Sequence, residues 1–80
     1  MKISRHARNN MRLYGIRVDD LYHTIESADF RDAEESKLIA VKSLPKRFAE
    51  YPLKVVYEKS GQDIFIITVY PLKKALGGKP

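Results

Sequence analysis

Residues 53–70 read Leu53-Lys54-Val55-Val56-Tyr57-Glu58-Lys59-Ser60-Gly61-Gln62-Asp63-Ile64-Phe65-Ile66-Ile67-Thr68-Val69-Tyr70, and this stretch decides the fold. Leu53 to Lys59 and Asp63 to Tyr70 are rich in β-branched and aromatic residues, which fit a pleated and partly buried surface. Ser60-Gly61 between them reads as a tight turn, so the two runs pair as an antiparallel hairpin. On strict alternation Phe65, Ile67 and Val69 share one face of the second strand, and Ile64, Ile66, Thr68 and Tyr70 share the other. Both faces are therefore largely apolar, which places this strand at the centre of the sheet.

Upstream, Lys37 to Leu44 is a third strand candidate and Phe30 to Glu34 a shorter fourth, while Pro45 and Pro52 bracket a longer connection. The N-terminal portion follows a different period. Ile3, Ala7, Met11 and Tyr14 recur at three- and four-residue steps, with Ser4 as N-cap and Gly15 as stop, which predicts a helix over Arg5 to Tyr14. At about 100° per residue, Arg5, Arg8 and Arg12 fall on the side away from that stripe, and His6, Asn10 and Leu13 on its flank. Val18, Leu21, Tyr22, Ile25 and Ala28 form the apolar face of a second helix from Val18 to about Ser27, with Asp19 and Asp20 at its positive end. So short a link between the helices makes a tight hairpin. The expected fold is α+β, an N-terminal helical hairpin on one face of a three- or four-stranded antiparallel sheet. Two helices cover one face only. The other is expected to be a ligand surface or a homo- or hetero-oligomer contact.

The chain has 80 residues, enough for one domain. It is expected over residues 1–73, with 74–80, containing Gly77 and Gly78, as a flexible C-terminal tail. A chain of this size buries little more than about 60% of the surface it exposes when unfolded, which favours self-association or a partner. There is no Cys, so disulfides and Cys-based zinc sites are excluded. The longest apolar run, Ile64 to Tyr70, is far short of a membrane span, and a cytoplasmic location is the default expectation.

The net charge of +5 is unevenly spread. Lys2, Arg5, Arg8, Arg12 and Arg17 occupy the first 17 residues without an acid, whereas residues 18–36 hold seven acids against Arg31 alone. Bases dominate again beyond Lys37. Such basic segments suit an acidic partner.

His6-Ala7, Asn10, Met11, Gly15-Ile16 and a final strand ending Thr68-Val69-Tyr70 resemble a family of small uncharacterised prokaryotic domains whose opening pattern is His-Ala-x-x-Arg-Met-x-x-Arg-Gly-Ile. Asn10 and Tyr14 stand at that pattern's two Arg positions. Asn10 followed by Gly15-Ile16 is also similar to the start of the BrnT toxins, and both groups resemble the RelE and ParE-like toxin superfamily. The resemblance implies a RelE-like fold and a metal-independent ribonuclease held in check by an antitoxin protein, without cofactors. It also leaves room for a non-catalytic relative that binds nucleic acid or a protein.

Metal-independent RNA cleavage needs a proton acceptor, a proton donor and cations around the charged phosphorus centre. His6, an imidazole and so able to accept or donate a proton, is the candidate acid or base, against the plainer reading of a histidine bonded to the sheet. Tyr70, as the second catalytic candidate, and Thr68 share a face where their hydroxyls could hold a phosphate; core packing with a polar tip is the alternative. Arg5, Arg8, Arg12, Arg17 and Lys54 are the candidate phosphate contacts, with a solvated face as the alternative. His23 reads as exposed and inert. Asp29, Asp32, Glu34 and Glu35 lack a paired His, so no metal site is expected. No Gly-rich phosphate loop or nucleophile elbow is present.

Overall fold

A computed structural model describes residues 1–73. The order is β1 (Lys2–Ile3), α1 (Arg5–Tyr14), α2 (Val18–Glu26), β2 (Phe30–Glu34), β3 (Lys37–Lys42), β4 (Leu53–Ser60) and β5 (Asp63–Pro71). The strands form one five-stranded sheet in the order β1-β5-β4-β3-β2. The fold is α+β as expected, and four of the strands are the four expected ones. Two features differ. β1 pairs parallel with β5, Lys2 against Phe65 and Ile3 against Ile66, so the sheet is mixed. Two residues carry too little alternation to read as a strand. The centre of the sheet is β4; β5 is flanked on its outer side only where β1 reaches it.

Local chemistry sets the helices. Ser4 Oγ accepts from Ala7 N–H at 3.0 Å, the N-cap bond of α1. Gly15 ends the helix in the left-handed region at φ +69°, where a Cβ would be strained, and Ile16 N–H closes onto the Met11 carbonyl at 2.8 Å. Arg17 has no acceptor to cap α2, but Asp20 reaches back to accept from its N–H at 2.8 Å.

Ala7, Ile16, Leu21, Leu53, Val55, Tyr57, Ile66 and Val69 build the core between helices and sheet. α1 packs on β5, and α2 on β3 and β4. The inward face of α2 is centred on Leu21 and Thr24, so Val18 and Tyr22, expected in the core, are 46% and 44% exposed. Apolar residues occur on both sides of this helix, and the stripe alone could not fix its rotation.

The two faces of β5 also differ from strict alternation. Tyr57 pairs with Ile66 and Val56 with Thr68, leaving Ile67 as the extra residue of a β-bulge. The bulge shifts the phase by one. Ile64, Ile66 and Val69 face the helices, whereas Phe65, Thr68 and Tyr70 face the opposite side.

At the other margin, Asp29 accepts from Ser43 N–H at 2.9 Å and lies 3.7 Å from Lys42 Nζ. That backbone bond, aided by the lysine, holds its carboxyl below the ordinary value. No helix among the described residues is long and apolar enough to cross a membrane. Residues 74–80, expected as a tail, lie outside the described residues.

Candidate functional site

α1 places its residues by helical periodicity. Ala7 is fully buried, and Arg5, Arg8 and Arg12 are exposed on the outward side. Arg17 is exposed one turn beyond. Among the described residues the ion pairs are Lys42–Asp29 and Arg47–Asp20, at 3.7 and 2.6 Å, so these four arginines have no carboxylate partner there. Asp20, the acid nearest Arg17 in sequence, is occupied by Arg47 and by the Arg17 backbone.

The flank of α1 lies along the outer edge of β5. β1 covers only Phe65 and Ile66, so the carbonyls beyond need other donors. Ser4 N–H donates to Ile66 at 2.9 Å, Ser4 Oγ to Ile67 at 2.7 Å, and Asn10 Nδ2 to Val69 at 3.1 Å. Asn10 therefore finishes the sheet edge, a task legible only once the register is known. His6 lies between Ser4 and Asn10 along the helix and is exposed. Asn10 is bonded one residue before Tyr70 in the strand.

Lys54, Thr68 and Tyr70 occupy the sheet face turned away from the helices. Lys54 pairs across the strands with Tyr70, its Nζ 5.7 Å from the ring centroid. Thr68 Oγ1 is closed off from solvent without a hydrogen-bond partner among the described residues. The candidate residues thus divide: Arg5, Arg8, Arg12 and Arg17, with the exposed His6, on the helix layer, and Lys54, Thr68 and Tyr70 on the opposite face. Alternation grouped Thr68 with Tyr70 but could not say which face the helices cover.

One open hollow of about 350 Å³ lies where α1 ends, lined by Leu13, Tyr14, Phe48, Ala49, Tyr51 and Lys73 among others. Lys73 Nζ is 6.0 Å from the Tyr14 ring centroid, and Arg47 lies 4.9 Å over Phe48. The loop beneath is unusual. Lys46, Phe48, Ala49 and Glu50 all have positive φ, from +53° to +69°, without a glycine among them. Each such residue costs about 1–2 kcal/mol, and backbone strain of this kind clusters at functional positions. Nothing in the residue types announces it; the sequence showed only a connection between prolines. Ala49→Gly is expected to raise the unfolding free energy by about 0.5–1 kcal/mol in a urea titration. A loss would mean that the methyl contacts outweigh the strain.

A second hollow, of about 450 Å³, lies by the β4–β5 turn, with Lys2, Ser36, Glu58, Asp63 and Phe65 in its wall. Neither hollow includes His6 or Tyr70 in its lining. Among the described residues no group of three or more His, Cys, Asp or Glu could hold a metal ion.

No curated protein and no solved structure matches this chain. Residues 3–71 match a family described as a domain of unknown function, DUF4258, a span from β1 to the end of β5. The chain therefore belongs to the DUF4258 family.

Proposed function

We propose that this protein binds RNA, in single-stranded form, along the outward face of α1. The observation that carries the reading is the set Arg5, Arg8, Arg12 and Arg17, all exposed and without an ion pair among the described residues, on one helix and its following turn. Phosphate contacts dominate nucleic-acid affinity, and arginine offers them a planar fork of donors. The hollow at the end of the same helix adds Tyr14, Phe48 and Tyr51 with Lys73 at its rim, a surface on which an unpaired base can stack.

A second reading follows the likeness to the BrnT and RelE/ParE-like toxins: ribonuclease activity with His6 as acid or base, Tyr70 at the phosphate, and an antitoxin as partner; Thr68, expected beside Tyr70, has its hydroxyl closed off from solvent and takes no part. It is favoured by His6, exposed on a helix that Ser4 and Asn10 tie to β5. It asks groups on opposite sides of the sheet to meet one phosphate around the β5 edge.

Incubating end-labelled single-stranded RNA with the protein, and with His6→Ala, separates the two. Binding alone predicts a retarded but intact RNA and equal affinity for the variant. Cleavage predicts shorter products, formed about 100- to 10,000-fold more slowly by His6→Ala. RNA neither retarded nor cut would contradict both.

A further inference from the structure

The register of the sheet lays out the face that carries no helix. Across it run three rows of side chains: Tyr70, Lys54, Val41 and Phe30; then Thr68, Val56, Ile39 and Asp32; then Phe65, Glu58, Lys37 and Glu34. The middle row is apolar at its centre. Phe30 and Phe65 stand 47% and 41% exposed at diagonal corners, while the charges occupy the outer positions. Aromatic residues left open to water on a face with an apolar middle mark an interaction surface.

The charges identify the occupant. We infer that a second copy of this chain packs its own open face here, about a two-fold axis running along the strands between β3 and β4. Under that operation β4 lies over the partner's β3 and β5 over its β2, as in aligned sheet packing about 10 Å apart. Val56 then meets Ile39 of the partner subunit, and Tyr70 meets Phe30 of the partner subunit. Glu58 meets Lys37 of the partner subunit, and symmetry makes each contact twice. Thr68 comes opposite Asp32 of the partner subunit.

Two other arrangements are disfavoured by the same layout. Both the inferred axis and one across the strands bring a phenylalanine over Glu34, Phe65 here and Phe30 there, but an axis across the strands also sets Asp32 on Asp32. Pairing two copies through the β2 edge brings together two strands that each carry Asp32 and Glu34, and acidic edge residues discourage strand addition. The inferred dimer keeps both α1 faces outward and covers Tyr70, Lys54 and Thr68. It stands whether or not α1 binds RNA.

Light scattering of the whole chain at about 0.1 mM, well above the micromolar range of a weak standard interface, should give about twice 9.2 kDa. Val56→Lys, which puts a charge at the centre of the face, should return the mass to that of one chain with an unchanged far-ultraviolet spectrum. Should that variant fail to fold, the surface charges carry the test. Glu58→Lys should weaken association at least tenfold, and Glu58→Lys with Lys37→Glu should restore it to within about threefold. A single-chain mass for the unaltered protein would overturn the inference. So would failure of the double exchange, or restoration by Lys54→Glu instead, the pairing that an axis across the strands demands.

Discussion

Changing Arg5, Arg8 and Arg12 together to Glu should lower affinity for single-stranded RNA by about 100-fold or more at 0.1 M salt, with the helix intact. Four phosphate contacts to a single strand, from Arg5, Arg8, Arg12 and Arg17, give a slope of about −2.8 in log affinity against log salt, so the unaltered protein should bind about 50-fold more weakly at 200 mM than at 50 mM. Reversing the charges removes three attractions and adds three repulsions, and the slope should collapse towards zero or change sign. The three side chains are exposed and make no ion pair among the described residues, so folding loses little. Glu is also a good helix former. Lys54→Glu, on the opposite face, should leave affinity within about threefold. Fluorescence anisotropy at several salt concentrations measures both, and an undiminished affinity in the triple variant would remove the proposed interface.

The second large effect concerns β5. Ile66 is fully buried between helices and sheet, and Ile66→Ala should cost about 2–5 kcal/mol. A chain of this length has roughly 4–12 kcal/mol in total, at 0.05–0.15 per residue, so the variant stands near the limit of folding. Val69 is also fully buried, and Val69→Ala should lower the urea midpoint clearly, whereas Phe65→Ala, 41% exposed on the other face, should cost below about 1 kcal/mol in the isolated chain. Strict alternation would instead group Phe65 with Val69. Equal losses at those two positions would deny the bulge at Ile67.

These contrasts show what the residues disclose by themselves. α1 is legible because its cap, stripe and stop agree: Ser4, the run from Ala7 to Tyr14, and Gly15. The β4–β5 hairpin is legible because two apolar runs flank a glycine, which takes φ +62° in the turn. The bulge is not, since Ile64 to Ile67 is apolar throughout and any phase satisfies it. β1 is hidden by its length, and the rotation of α2 by Thr24, whose hydroxyl gives no sign that the residue is fully buried. The arginine ridge followed from 100° spacing alone. That Lys54, Thr68 and Tyr70 lie across the sheet from it depends on which side the helices cover, a tertiary choice that two apolar strand faces leave open. Lys46, Phe48, Ala49 and Glu50 are left-handed although their residue types ordinarily avoid such geometry, and packing must impose it.

Amide chemical-shift mapping of the labelled protein with a short single-stranded RNA addresses the location of binding directly. The account predicts perturbations concentrated from Arg5 to Arg17, extending to Tyr51 and Lys73 around the neighbouring hollow, with Ile39, Val56 and Thr68 unmoved. Shifts confined to those three open-face positions and their strand neighbours, with α1 silent, would contradict it.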